Sequence, residues 1–206
     1  QENIFYYLTL MNENYEHAAL SEQHKKGIIN GMYLLSEVKP SKRHVQLLGS
    51  GTILNEVIAA KELLKTDFNI TADIWSVTSF SELRKEALAI DRYNLLHPNE
   101  PEQKSYVAHC LQGRKGPVVA ASDYIRLNAD QIREFIEAPY RVLGTDGYGR
   151  SDTREQLRQF FEVNRYFIVI ASLYSLMAEN LVTKPEIEQA FKKYAIDPEK
   201  PNPFTH

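Results

Sequence analysis

Cysteine is almost absent from this 206-residue chain, which contains only Cys110. No internal disulfide can form, and a thiolate-rich metal site is excluded. This composition favours a reducing, cytoplasmic location. The longest apolar stretch, residues 166–176, is broken by two serines and is too short to span a bilayer. Because the first residues also lack the pattern of a secretory signal, we expect no membrane association.

An excess of positive charge is also lacking. The chain has 24 Lys and Arg against 27 Asp and Glu, a formal net charge of -3, so we expect no nucleic-acid partner. The six histidines show no HExxH or other local metal spacing, and there is no G-x-S-x-G nucleophile elbow. From the sequence we therefore assign no catalytic, metal-binding or cofactor-binding residue.

Apolar periodicity alternates along the chain between the spacings typical of strands and helices. Such alternation is typical of an α/β fold, here a three-layer domain with a mostly parallel sheet of about five strands covered by helices. Predicted strands lie at residues 4–10, 45–48, 70–77, 117–121 and 140–143. Predicted helices cover residues 21–37, 79–93, 106–111 and 128–136, and others begin after Thr52, Asp152 and Thr183.

One glycine turn, Gly49-Ser50-Gly51, joins a predicted strand to a predicted helix. It resembles the first half of a dinucleotide-binding fingerprint, but Leu54 occupies the third glycine position. A structural use, in which the glycines permit a sharp turn and close packing of the helix, is favoured. Alternatively, the amides at the start of the helix at Thr52 bind a phosphate or carboxylate.

The least generic stretch is residues 142–152, which holds three glycines and two aspartates between a strand and a helix. Asp152 is predicted to cap the helix, and Arg150 offers a planar fork to a carboxylate on a neighbouring surface. We favour a structural ion pair, buried or between subunits, over a catalytic site. The candidate interface or anion-binding residues are therefore Gly49, Ser50, Gly51, Asp146, Arg150, Ser151 and Asp152.

Taken in order, several stretches resemble one family over nearly the whole chain. The chain is similar to the C-terminal, transketolase-like domain of the homodimeric, bacterial-type, pyruvate-decarboxylating component of the pyruvate dehydrogenase complex. The stretches that carry the resemblance are residues 5–7, 12–15, 46–51, 76–80, 96–98, 122–124 and 140–151. Any one of them alone would be weak, but their order and spacing are specific.

The resemblance implies that thiamine diphosphate and magnesium are bound by two other domains of the enzyme. It also implies a homodimer that passes acetyl groups to the lipoyl groups of a dihydrolipoyl acetyltransferase core. The family's magnesium motif is Gly-Asp-Gly with a later Asn, whereas this chain has Thr145-Asp146-Gly147 and no matching Asn-Asn pair, so no metal ligand is transferred to Asp146.

The same resemblance divides the chain in two. Residues 1–20 would be the end of a preceding pyrimidine-binding domain and a linker, and residues 21–206 would be the C-terminal domain. We expect a fragment with a structural, dimer-organising role that binds no cofactor and is inactive by itself. Two alternatives from other classes are a stand-alone module that binds an anion or nucleotide at Gly49-Ser50-Gly51, and a regulatory interaction domain that recruits the acetyltransferase.

Overall fold

A computed structural model describes Phe5, residues 13–15, Ala19 and residues 21–206. Apart from Phe5, the strand predicted at residues 4–10 lies outside these described residues. In this part of the chain, no helix is both long enough and apolar enough to cross a membrane.

The described chain alternates strands and helices, as the sequence predicts. The strands are β1 (Met32–Ser36), β2 (His44–Ser50), β3 (Thr71–Val77), β4 (Val118–Ala121) and β5 (Tyr140–Leu143). The helices are α1 (Lys25–Asn30), α2 (Ile53–Phe68), α3 (Phe80–Leu96), α4 (Tyr106–Leu111), α5 (Arg126–Asp130), α6 (Arg154–Phe160), α7 (Arg165–Ala178) and α8 (Lys184–Lys193). Short 3-10 turns cover Glu22–His24 and Arg133–Phe135.

The five strands form one sheet in the order β1-β3-β2-β4-β5. β1 is antiparallel to β3, and the other neighbouring pairs are parallel. The prediction of a mostly parallel sheet of about five strands is thereby confirmed. Since β2 lies between β3 and β4, the direction of strand addition reverses at β2. In sheets of this kind ligands bind at the carboxyl edge beside such a point.

Helices cover both faces of the sheet. On β2, Leu47 belongs to a core shared with α2, α7 and α8, whereas its neighbour Leu48 belongs to a core shared with α3, α4 and α5. Both side chains are fully buried because successive residues of a strand point to opposite faces. This arrangement confirms the three layers expected from the sequence.

The helix predicted over residues 21–37 is wrong. The chain instead forms the short helix α1 and then the edge strand β1. Gly31 ends α1 in the left-handed conformation, with φ of 103°, and a Cβ there would lie 2.6 Å from the Ser79 carbonyl oxygen. Ile29, a member of the predicted apolar stripe, is 75% exposed, whereas Met32 is buried on the sheet.

The helix predicted over residues 128–136 is also interrupted. It consists of α5 and, after a break, the 3-10 turn Arg133–Phe135. The Tyr140 hydroxyl donates to the Ala129 carbonyl oxygen at 2.8 Å, so this carbonyl is bonded to β5 rather than to a following turn of helix.

Helix caps are partly as predicted. The Ser79 hydroxyl accepts from the Glu82 amide at the start of α3, and the Glu186 carboxylate accepts from the Thr183 amide at the start of α8, so both caps are confirmed. Asp152 does not cap α6. The cap is Thr153, whose hydroxyl accepts from the Gln156 amide at 3.3 Å, while Asp152 accepts from the Thr153 amide just outside the helix.

Candidate functional site

Most candidate residues lie in loops that meet at the carboxyl edge of the sheet. These loops follow β2, β4 and β5, and they are bonded to one another. The Thr145 amide donates to the Tyr124 carbonyl oxygen at 2.9 Å, and the Thr145 hydroxyl donates to the Asp123 carbonyl oxygen at 2.8 Å. The loops after β4 and β5 therefore form one surface.

The glycine turn after β2 has the structural use favoured above. A Cβ at Gly49 would lie 2.9 Å from the Leu54 backbone, so glycine allows α2 to approach β2. Gly51 has φ of 57°, a left-handed conformation that L side chains rarely adopt. The Thr52 hydroxyl at the start of α2 is 3.5 Å from the Asp123 carboxylate. The Asp123 carboxylate thus lies beside the start of α2, the position at which the alternative hypothesis placed a bound phosphate or carboxylate.

Asp146 is used inside the domain. Its carboxylate accepts from the Arg126 amide at 3.0 Å, and it lies 3.2 Å from the Arg126 side-chain Nε. Close approach of the two loops also explains Gly144, where a Cβ would lie 2.7 Å from both the Arg126 nitrogen and the Tyr124 carbonyl oxygen. Asp146 therefore ties the loop after β5 to the start of α5.

Arg150, Ser151 and Asp152 are exposed at the end of the same loop. The Arg150 guanidinium lies over the Phe160 ring, 4.0 Å from its centroid, and donates to the His206 carbonyl oxygen. Within the described part of the chain, no Asp or Glu side chain lies within ion-pair distance of Arg150. The Phe160 ring and the His206 oxygen together hold the guanidinium in place at the surface.

A cavity of about 300 Å³ lies between these loops, α2 and α6. Its polar wall includes Thr52, Asp123, Arg150 and Arg154, and its apolar wall includes Ile53, Leu157, Phe161 and Val163. The cavity opens at the carboxyl edge, beside the reversal of strand order at β2. Its position and mixed lining suit a small amphipathic group or an inserted side chain.

Large apolar side chains are exposed around the same edge. Tyr148 is 76% exposed, Leu127 68% and Phe204 64%, and Tyr124 and Ile125 are also more than half exposed. The Phe204 segment packs on the loop after β5, because a Cβ at Gly147 would lie 2.2 Å from the Pro203 carbonyl oxygen. Several large apolar groups on adjoining loops are typical of a surface that another protein surface covers.

The structure reveals a polar network around α6 that the sequence analysis missed. Glu56, a buried residue of α2, accepts from the Arg165 Nε at 2.9 Å and Nη2 at 3.0 Å, and lies 3.3 Å from the Arg158 Nη1. Burial raises the pKa of Glu56, but the hydrogen bonds and charge of the two arginines outweigh it and leave the pKa below its usual value. Since Glu56 and Arg165 are 109 positions apart, no local spacing could indicate the pair.

The residues do not fit a magnesium-diphosphate site. Among the described residues, no group of three or more His, Cys, Asp or Glu side chains is arranged to hold a metal ion. Asp146, which occupies the middle of Thr145-Asp146-Gly147, is already held by Arg126. No reaction step through a metal or thiamine diphosphate is therefore derived from this chain.

Fold and site together match a known class of domain. Residues 31–164 match the family model described as Transketolase-like TK C-terminal domain, and the chain belongs to this family. Over 206 residues, or 99% of the chain, it is 53% identical to the pyruvate dehydrogenase E1 component of Pseudomonas aeruginosa. It is 50% identical to the protein of the same name from Cupriavidus necator and 44% identical to that from Escherichia coli K12. The resemblance stated from the sequence is thereby confirmed.

The chain spans 23% of the length of each of these relatives. Among solved structures, the transketolase of Pichia stipitis in complex with sedoheptulose 7-phosphate superposes with a TM-score of 0.51 at 14% identity, covering 76% of this chain and 19% of that chain. The transketolase of Leishmania mexicana gives 0.50 at 16% identity, covering 74% of this chain and 19% of that chain. At these identities the likeness concerns the fold alone.

Proposed function

We propose that this chain serves as the C-terminal domain of a thiamine diphosphate-dependent pyruvate dehydrogenase E1 component, which decarboxylates pyruvate and acetylates lipoyl groups. The observation that carries the proposal is the 53% identity to such a component over 99% of the chain. In the whole enzyme the cofactor, bound with magnesium by other domains, supplies the electron sink for decarboxylation. The enzyme acts in the cytoplasm and delivers acetyl groups to a dihydrolipoyl acetyltransferase core.

Within that enzyme the role of the chain is architectural. Its carboxyl edge packs against the other domains of the enzyme and organises the homodimer, so that the cofactor-binding domains are held in register. Support comes from the exposed Leu127, Tyr148 and Phe204 at that edge and from the exposed guanidinium of Arg150. Small misplacements of reacting groups are costly to rate, so a scaffold far from the chemistry still affects turnover.

Two substitutions in the full-length enzyme test this docking. Leu127→Asp would place a charge in the covered apolar surface, and Arg150→Ala would remove the guanidinium. We expect Leu127→Asp to weaken subunit association roughly 30-fold by sedimentation, as truncation of a central interface residue does, with activity falling in parallel. The matched control is Leu95→Asp, because Leu95 is 77% exposed at the far end of α3. Unchanged association and activity in both test variants would refute the docking role.

The inactivity of the isolated chain has its own test. The 206-residue chain is mixed with pyruvate, thiamine diphosphate, magnesium and a lipoyl acceptor, and carbon dioxide release is measured. We expect none above the rate of the mixture without protein, because the cofactor-binding residues would lie in other domains. Turnover by the chain alone, or tight binding of thiamine diphosphate to it, would overturn the architectural role.

A second candidate function is anion binding, which the cavity of about 300 Å³ and its arginine-bearing wall favour. In this reading a small phosphorylated or carboxylated molecule enters beside Arg150 with its apolar part against Phe161 and Val163. Calorimetry with pyrophosphate, a nucleotide panel and citrate separates the two candidates. Saturable binding that Arg150→Gln weakens at least tenfold would support a ligand site, and the absence of heat for every probe would eliminate it.

A further inference from the structure

Residues 13–15 contact α6 through both of their ionisable side chains. The Glu13 carboxylate lies 2.8 Å from the Arg154 Nε. The Tyr15 hydroxyl donates to the Glu13 carboxylate at 2.6 Å and accepts from the Arg158 Nη2 at 3.2 Å. Arg154 and Arg158 are four positions apart, so they project from the same face of α6, one turn from each other.

Arg158 continues this chain of contacts into the core. Its other terminal nitrogen, Nη1, lies 3.3 Å from the Glu56 carboxylate. Glu56 in turn accepts from the backbone amide of Arg165 at 3.0 Å, at the first residue of α7. α2 and α7 are packed against the sheet in the same core. A continuous polar path therefore joins residues 13–15 to buried Glu56 on α2 and to the start of α7.

Burial differs along the path, and this decides which contacts salt can weaken. The Glu13 side chain is 51% exposed, whereas the Arg158 and Glu56 side chains are 18% and 7% exposed. Ions in solution screen the outer contacts strongly and the inner ones weakly. Salt should therefore weaken the contact between Glu13 and Arg154 more than the contact between Arg158 and Glu56.

We propose that Arg154 and Arg158 form a clamp on α6 that holds residues 13–15 against the domain, with Arg158 as the positioning residue fixed by buried Glu56. The clamp fixes residues 13–15 relative to the core of the domain. In the whole enzyme it would thereby fix the orientation of this domain relative to the preceding domain. The clamp itself does not depend on the proposed activity. Its consequence for turnover, however, rests on the proposed function.

Cleavage by a glutamate-specific protease after Glu13 measures release of the segment. The product beginning at Asn14 is followed by mass spectrometry, and each rate is divided by that of a synthetic peptide with the same residues 8–22. We expect Tyr15→Phe, Arg154→Gln and Arg158→Gln each to speed cleavage about fivefold, the factor that corresponds to one net hydrogen bond of about 1 kcal/mol. The matched control is Arg84→Gln, because Arg84 is exposed on α3, and this variant should leave the rate unchanged.

Global destabilisation is separated from release by two further measurements. Arg154→Gln should speed cleavage without changing the denaturant midpoint, because Arg154 lies at the surface end of the path. Raising the salt concentration to 1 M should speed cleavage of the native chain several-fold but have little effect on an Arg154→Gln, Arg158→Gln double variant. A native chain cleaved as fast as the double variant at low salt, or a rate that is insensitive to all three single substitutions, would overturn the clamp.

The positioning role is tested in the full-length enzyme. Tyr15→Phe and Arg154→Gln should lower kcat several-fold with little change in KM for pyruvate, since the clamp touches no substrate. If the cleavage rates show that the clamp exists but turnover is unchanged, the clamp does not position the domain for catalysis. If the native full-length protein has no activity on pyruvate, the proposed function fails while the cleavage results still decide the clamp.

Discussion

The two edges of the sheet differ in where their side chains find partners. At the amino edge, where β2 and β3 begin, buried polar groups bond to one another: Asp73 accepts from the Val38 amide at 3.0 Å and from Gln46 at 3.2 Å, and the Trp75 indole donates to Gln46 at 2.8 Å. At the carboxyl edge, Tyr148 and other large apolar groups are exposed, and Arg150 has no Asp or Glu partner among the described residues. At the amino edge most buried polar groups are hydrogen-bonded within the described chain, although the Arg43 Nε and His44 Nε2 are not. The carboxyl edge presents exposed groups that suit a partner.

The two edges differ in how far their side chains are buried and hydrogen-bonded, and not in the sequence motifs that they carry. Polar residues at the amino edge are costly to disturb because each supports several neighbours in a low-dielectric interior. Those at the carboxyl edge should affect assembly more than stability. Substitutions at the two edges can therefore test whether stability and assembly are separated in this way.

The largest effect is expected at Asp73. Asp73→Ala removes the carboxylate that accepts from Val38 and Gln46 and lies 3.3 Å from the buried His44. We expect the free energy of unfolding to fall by about 3 to 5 kcal/mol, because partners of a buried charge are left unsatisfied. Urea denaturation measures this, with exposed Asp91→Ala on α3 as the control. A loss below about 1 kcal/mol would show that the amino-edge network is not structural.

Glycines at the two edges give the next prediction. Gly116 has φ of 81°, and a Cβ there would lie 1.8 Å from the His44 carbonyl oxygen, whereas a Cβ at Gly149 would meet no atom within 4 Å. We expect Gly116→Ala to cost about 2 kcal/mol or more through strain and clash, and Gly149→Ala to be neutral or slightly stabilising. Thermal unfolding of both variants provides the measurement. Equal effects would contradict the difference between the edges.

Acid should weaken the amino edge through His44. Burial lowers the pKa of His44, and the Asp73 charge opposes only part of that shift. The folded state therefore prefers the neutral imidazole, so its contribution to stability is complete above the unfolded pKa of about 6.5 and is lost as the pH falls toward the folded pKa.

Denaturant unfolding at pH 7.5 and pH 5.5 tests the sign of this effect. The native chain should lose up to about 1.4 kcal/mol more than His44→Gln between these two values, the linkage of one proton over roughly one pH unit. Exposed His97→Gln should behave like the native chain. A His44→Gln variant with the same pH dependence as the native chain would exclude His44 as the titrating group.

The smallest effect concerns the start of α6. Thr153→Ala removes the hydroxyl that accepts from the Gln156 amide, and we expect a loss of about 1 kcal/mol, typical of a helix cap. Asp152→Ala should cost less, because Asp152 bonds only the adjacent Thr153 amide outside the helix. Chemical denaturation of the two variants ranks them, and the reverse order would restore Asp152 as the cap.

Sequence reasoning predicted those elements whose pattern is local and strong. β2, β3 and β5 are rich in β-branched, aromatic and other apolar residues, and their strands were predicted nearly at their observed bounds. β1 was missed because Met32 and its neighbours fit a helical stripe as well as a strand, and the left-handed turn at Gly31 decided between them. The helix containing α5 was predicted too long, because the Tyr140 hydroxyl, 11 positions away in sequence, donates to the Ala129 carbonyl oxygen of α5.

The candidate site was predicted less completely than the fold. Arg150 and Asp146 were both predicted as candidate interface or anion-binding residues, but Asp146 is held inside the domain by Arg126. The clamp of Arg154 and Arg158 could not be seen, because its partners Glu13 and Glu56 are remote in sequence. Which charges pair over such long distances in sequence depends on the fold, so no local spacing of residues indicates these pairs.

Hydroxyl-radical footprinting compares the two edges most directly. Tyr148, Leu127 and Phe204 at the carboxyl edge are followed in the isolated chain and in the full-length enzyme, with Leu95 as the reference at the far end of α3. Docking of the carboxyl edge predicts that the three side chains are modified much more slowly in the full-length enzyme, with a smaller change at Leu95. Equal modification rates in the two proteins at all three positions would contradict it.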